Sequence, residues 1–107
     1  MITTTTPTIE GKPIEQYLGI VSSEVIIGAN VLKDIMGSLR DFFGGRSATY
    51  EKVIDEARQN AMSELIQRAQ SLGANAIVGI DLDFETVGGG GSMMMVIATG
   101  TAVKLSH

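Results

Sequence analysis

The sequence of 107 residues contains no cysteine, and its only histidine is the last residue, His107. Without cysteine the chain can form no disulfide, no thiolate zinc site and no cysteine nucleophile. With histidine only at the terminus, a Ser-His catalytic pair is implausible as well. A carboxylate acid–base pair stays possible, but any acidic strand would suggest one, so we expect no enzyme and assign no catalytic residue.

Long hydrophobic runs and an excess of basic residues are also missing. No apolar stretch approaches the roughly 20 residues that a membrane helix requires. The first residues, MITTTTPTIEGKP, lack the basic and apolar regions of a signal peptide. Twelve acidic residues against eight basic ones give a formal net charge of −4, which argues against nucleic acid or an anionic membrane as a partner. We therefore expect a soluble, cytoplasmic protein.

Apolar residues are abundant for a chain of this size. They make up 44% of the sequence, charged residues make up 19%, and the mean hydropathy is +0.22. The length is typical of one domain, so we treat residues 1–107 as a single unit. A small domain buries a limited share of its surface, and this composition predicts apolar surface that is buried between subunits.

Residue patterns predict the order strand, helix, helix, strand, strand. Helices on one face of an antiparallel sheet form a two-layer α+β sandwich, which is the fold class we expect. A short β-prone segment, ITTTT, and a turn through Gly11 and Pro13 precede these elements. The expected elements are a strand at 17–27 ended by Gly28, a helix from Asn30 to Gly44, a long helix at 47–72 ended by Gly73, and strands at 76–86 and 93–105.

Side-chain alternation predicts the two faces of the strand at 76–86. One face is apolar and the other is acidic: Ala76, Val78, Ile80, Leu82 and Phe84 against Asp81, Asp83 and Glu85. With the glycine-rich hairpin centred between residues 89 and 90, Phe84 would lie opposite Met95, and Leu82 opposite Ile97.

The strand at 93–105 is mostly apolar on both faces. One layer of helices covers only one of these faces, and a chain this short has no second sheet for the other. We therefore expect the second face to contact another copy of the chain.

Four segments, taken in order, resemble a known family: GIVSSEVIIGANVLKDI (19–35), GGRSATYEKVIDEAR (44–58), LGANAIVGIDLDFE (72–85) and GSMMMVIATGTAV (91–103). The sequence resembles the YbjQ family of small bacterial proteins, described as "putative heavy-metal-binding". The resemblance implies a β-α-β-β fold like that of a dodecin subunit, with an antiparallel sheet packed by one long and one short helix. It also implies assembly as a ring-shaped homopentamer, and it supplies no enzyme activity.

Two groups of residues are candidates for a metal ion, the only cofactor we consider. Asp81, Asp83 and Glu85 could bind a hard cation such as calcium or magnesium, although a solvated or salt-bridged strand face is the alternative. Met93, Met94 and Met95 offer thioethers, which soft ions prefer. Neighbouring strand residues point to opposite faces, so the three cannot converge within one subunit, and we interpret them as core and interface residues.

The turn formed by Gly44, Gly45, Arg46 and Ser47 is a candidate anion site. It places a guanidinium and free backbone N–H groups at the start of the long helix, an arrangement suited to an anion or a small metabolite between subunits. It lacks the lysine and the spacing of a Walker A loop. The alternative is an ordinary interhelical turn whose Arg46 pairs with a carboxylate of a neighbouring subunit.

Overall fold

The computed structural model describes residues 1–31, 48–89 and 93–106. In chain order its elements are β1 (Ile2–Thr3), β2 (Ile14–Ile27), helix α1 (Ala48–Ser71), β3 (Ala76–Val87) and β4 (Met93–Leu105). The predicted bounds of the long helix differ by one residue at each end, those of β3 differ by one residue at its end, and those of β4 are confirmed. Strand β2 begins three residues earlier than predicted. Residues 29–31, at the start of the predicted first helix, are also helical. Asn30 is therefore a helical residue and not the N-cap.

The four strands form one sheet in the order β1-β3-β4-β2. The three long strands pair antiparallel, as predicted. The sheet as a whole is mixed, because the two residues of β1 pair parallel with the start of β3. The expected two-layer α+β arrangement is confirmed, with α1 packed on one face of the sheet.

Helix α1 lies close to the sheet because small side chains line its inner face. Ala57, Ala61 and Ala69 are buried there together with Leu65. They pack against apolar residues of β2 and β4, which include Val21, Val96, Ala98 and Ala102. The hydroxyl of buried Ser23 on β2 donates a hydrogen bond of 2.6 Å to the carbonyl oxygen of Ala61.

The end of α1 is fixed by a left-handed glycine, as predicted. Gly73 has φ +85°. Its N–H donates a hydrogen bond to the carbonyl of Gln70, and the N–H of Ala74 donates one to the carbonyl of Ala69. These two bonds form a Schellman motif. Asn75 then holds the chain against β4, since its side-chain oxygen accepts from the N–H of Leu105 at 2.7 Å and its amide donates to the Leu105 carbonyl at 3.2 Å.

A bulge in β3 makes the predicted hairpin register wrong for most of the strand. Before the bulge, Ala76 pairs with Val103, as that register requires. The pairing then shifts between Val78 and Asp81, where Gly79 adopts φ +61°. Beyond it, Leu82 lies opposite Ala98, not Ile97, and Phe84 lies opposite Val96, not Met95. One extra residue on β3 moves its partners on β4 by one position and exchanges their faces.

The threonine-rich N-terminal segment satisfies the backbone of the bulge. The N–H groups of Gly79 and Ile80 donate to the carbonyls of Thr6 and Thr4, at 2.9 and 3.0 Å. The predicted turn through Gly11 follows, with φ +79° and a bond from the N–H of Lys12 to the carbonyl of Ile9. This segment contributes Ile9 to a second, smaller core on the side of the sheet away from α1, with Ile14, Ala76, Val78, Val103 and Leu105.

Because of the bulge, the predicted apolar face of β3 is divided between two cores. Ala76 and Val78 belong to the small core, whereas Ile80 and Leu82 belong to the main core under α1, together with Ile77. Phe84 follows the face of Leu82 but is 44% exposed. The expectation of one continuous apolar face from Ala76 to Phe84 is therefore wrong.

Gly100 on β4 provides the space that the bulge needs, so Gly100→Ala should destabilise the fold. An added Cβ would lie 2.7 Å from Cγ2 of Ile77 and 3.2 Å from Cγ1 of Ile80. Overfilling a packed core typically costs about 1–3 kcal/mol. We expect a loss of that size in the free energy of unfolding, measured with urea. The control is Gly89→Ala, where the added Cβ meets no atom within 4 Å; equal stability of the two variants would contradict the packing argument.

Candidate functional site

The face of the sheet opposite α1 is partly uncovered in the described part of the chain, and we call it the open face. Residues of β4 at 94, 96, 98 and 102 pack with the helix, so the alternate positions point the other way. The strand pairing extends this assignment to β2 and β3. The open face carries Ile20, Ser22, Glu24 and Ile26 on β2, Met93, Met95, Ile97, Thr99 and Thr101 on β4, and Asp81, Asp83 and Glu85 on β3.

The acidic residues lie together on the β3 side of the open face, as the alternation predicts. Asp81 pairs with Thr99, Asp83 with Ile97, and Glu85 with Met95. All three carboxylates are exposed. We call Asp81, Asp83 and Glu85 the acidic row.

The charges of the acidic row affect one another. A side-chain hydrogen bond with Asp81 raises the pKa of Asp83, and the negative charges of Asp81 and Glu85 act in the same direction. Among the residues that the structure describes, no three histidine, cysteine, aspartate or glutamate side chains are grouped so that they could hold a metal ion. The acidic row therefore offers charge to a cation, but not a preformed set of ligands.

The three consecutive methionines divide between the two faces. Met94 lies opposite Thr86 and packs against the main core under α1. Met93 and Met95 lie on the open face, opposite Val87 and Glu85, and both are partly buried. The predicted register places Met95 opposite Phe84, so the bulge replaces an apolar neighbour of Met95 with the carboxylate of Glu85.

The candidate anion site, formed by Gly44, Gly45, Arg46 and Ser47, lies outside the described residues. Another arginine, Arg68 on α1, which is not among the predicted site residues, has two clear partners. Its guanidinium donates to the backbone carbonyl of Ser22 and to the carboxylate of Glu64. The spacing of four residues between Glu64 and Arg68 was a readable signal for the second of these contacts.

Strand β2 carries the most exposed apolar side chains of the described residues. Ile20 is 84% exposed, Tyr17 68% and Ile26 58%. Strand β2 is also an edge strand, since among the described strands only β4 pairs with it. In the described ranges no helix is both long enough and apolar enough to cross a membrane.

Comparison with known proteins identifies relatives along the whole chain. A model of the YbjQ family, described as "Putative heavy-metal-binding", matches residues 1–106. The chain is 60% identical to a UPF0145 protein of Anoxybacillus flavithermus, with all of both chains covered. It is 61% identical to a UPF0145 protein of Geobacillus kaustophilus, with 98% of each covered.

A solved structure shares the fold. The chain resembles the crystal structure of a protein of unknown function from Pediococcus pentosaceus, described as a member of the DUF74 family. The TM-score is 0.62 at 19% identity, with 99% of this chain and 98% of the other covered. The likeness extends over the whole domain, at an identity that supports the fold alone.

The proximity of Asp81 to Asp83 predicts how the acidic row titrates. Because the pKa of Asp83 is raised, its contribution to stability is present at pH values below the ordinary 3.8 and is lost as the pH rises through the raised value. Asp81→Asn should lower the pKa of Asp83 toward its ordinary value, as measured by carbon-13 NMR of the side-chain carboxyl. Asp55→Asn, at an exposed position of α1, should leave the pKa of Asp83 unchanged. An equal response to both variants would show that Asp81 is not the cause.

Proposed function

The chain belongs to the YbjQ family, and from this premise we propose that it is a cytoplasmic homo-oligomer with a structural or ligand-binding role. A ring of five subunits is the assembly that the family resemblance implies. No enzyme activity is part of the proposal. The observation that carries it is the exposed apolar surface of β2.

Tyr17, Ile20 and Ile26 support assembly through β2. A long edge strand has a row of free backbone N–H and C=O groups, and exposed apolar side chains on such a strand favour pairing with another chain. This strand has 14 residues, with glutamates at 15 and 24 as its only charges. Natural edge strands of soluble monomers usually carry more charge than this.

The extended shape of the subunit supports the same proposal. The radius of gyration is 16.9 Å, whereas a compact domain of about 100 residues has a value near 13 Å. The principal extents are 52 × 28 × 17 Å. An extended subunit leaves more surface for contacts with neighbours, in keeping with the apolar composition.

Ile20→Lys should weaken the assembly while leaving the subunit folded. The side chain is mostly exposed in the single chain, so the lysine costs little there, but it would introduce a charge into an apolar contact. Sedimentation velocity and light scattering at micromolar concentration should show a multiple of 11.3 kDa for the wild-type chain and smaller species for the variant. A mass of five subunits would support the ring.

The matched control is Gln67→Lys, which places the same charge at an exposed position of α1. It should keep the wild-type mass. A wild-type monomer at micromolar concentration would overturn the proposal of an oligomer. If the wild-type chain is an oligomer and Ile20→Lys leaves it intact, the proposed role of β2 would be overturned but the proposal of an oligomer would stand.

A second candidate function is the binding of a hard cation by the acidic row. The hydrogen bond with Asp81 and the neighbouring negative charges that raise the pKa of Asp83 support it, since a bound cation would offset the same charges. Binding of calcium should then weaken as the pH falls through that pKa, and Asp83→Asn should abolish it. Calorimetry with calcium tests this; no binding below about millimolar would end the candidate.

The third candidate, an anion or metabolite site at Gly44, Gly45, Arg46 and Ser47, stays a prediction from the sequence. It requires that the turn lie between subunits, so it depends on the assembly proposed above.

A further inference from the structure

Met93 and Met95 place two thioether sulfur atoms, the ligand type that soft cations prefer, on the open face. Met93 and Met95 lie on the same side of β4, and Met94 between them packs toward α1. We infer that Met93 and Met95, together with the carboxylate of Glu85, bind a soft monovalent cation of the copper(I) or silver(I) type. The inference goes beyond the proposed assembly and uses residues of a single chain.

The spacing of the two thioethers allows them to share one ion. Residues two apart on a strand have Cα atoms about 6.6 Å apart and side chains on one face. Methionine has three rotatable side-chain bonds and no branch, so two sulfur atoms that start at this distance can converge. Both side chains are partly buried, which limits the number of conformations that must be lost on binding.

Glu85 provides the charge that the thioethers lack. It lies directly opposite Met95, and such cross-strand partners have Cβ atoms about 4.5–5.5 Å apart. Asp83, two positions earlier on β3, lies on the same face. Neutral sulfur ligands do not compensate the charge of a cation, so a carboxylate beside them favours the bound ion.

The ligand types favour a soft ion over zinc. Zinc sites in proteins are usually built from cysteine and histidine with four ligands. The sequence has no cysteine, and the described residues offer no grouping of three histidine, aspartate or glutamate side chains for a metal. Thioethers select copper(I) among the biological metals, so selectivity for a monovalent soft ion is expected.

The ion site adjoins the proposed subunit contact, because Met95 lies directly opposite Ile26 on the open face. The exposed apolar residues Tyr17, Ile20 and Ile26 lie on β2, at one edge of the sheet. Glu85 lies on β3, on the other side of β4. All three proposed ligands nevertheless belong to one chain, so a monomeric chain would still carry the site, and a failure of ion binding would not decide the oligomeric state.

Silver nitrate in chloride-free buffer is the probe, because silver(I) is soft, monovalent and stable to air. Calorimetry on the full chain should give one ion for each chain. Loss of an outer-shell partner of a metal already costs about 10–100-fold in affinity, so Met93→Leu and Met95→Leu should each weaken binding by at least about tenfold. Glu85→Gln should weaken it as well, and zinc should not compete.

Met94→Leu is the matched control, since it removes the thioether between the other two but on the opposite face. It should keep the wild-type affinity; a loss equal to that of Met93→Leu would overturn the site.

Methyl NMR of the wild-type chain gives a readout that needs no variant. Silver should shift the methyl signals of Met93 and Met95 and leave that of Met62 on α1 unchanged. No silver binding by the wild-type chain, or shifts confined to other methionines, would also overturn the inference.

Discussion

The close contact between α1 and the sheet determines which surfaces of this chain stay uncovered. Ala57, Ala61 and Ala69 bring the helix backbone near enough for the Ser23 hydroxyl to reach the carbonyl of Ala61. A larger side chain at these positions would hold the helix away from the sheet and leave Ser23 buried without a partner, which is costly. Because the helix covers one face of the sheet, every second residue of β2 and β4 points to the opposite, open face.

The bulge in β3 is the second constraint, because it lets one strand serve two cores. The strand faces the N-terminal segment at Ala76 and Val78 and faces α1 from Ile80 onward. One local and two distant features make this possible: the left-handed conformation of Gly79 within the bulge, the absence of a side chain at Gly100, and the carbonyls of Thr4 and Thr6. The carbonyls matter most, since a bulge leaves N–H groups without ladder partners and buried ones must be bonded.

The sequence predicts local features of this chain better than its pairings. The long helix, its glycine end at Gly73 and the bounds of β4 follow from periodicity and cap residues, which lie within a few positions of one another. The register of β3 with β4 does not, because its bulge depends on Thr6 and Gly100, both distant in sequence. The acidic row was predicted correctly as one face, since alternation between Asp81 and Glu85 is unbroken. The predicted partner of Met95, Phe84, was wrong because that prediction required the register.

The proposed ring and the proposed ion site are geometrically compatible. A closed ring needs two different surfaces on each subunit, so β2 must meet something other than β2. In the described part of the chain, the other free sheet edge is β3 beyond Ile80, because residues 2–6 occupy the edge before it. Pairing of strand edges uses backbone groups and leaves the side chains on their faces. A sheet continued from β3 of one copy to β2 of the next would therefore keep Glu85, Met93 and Met95 on its open face, within reach of an ion.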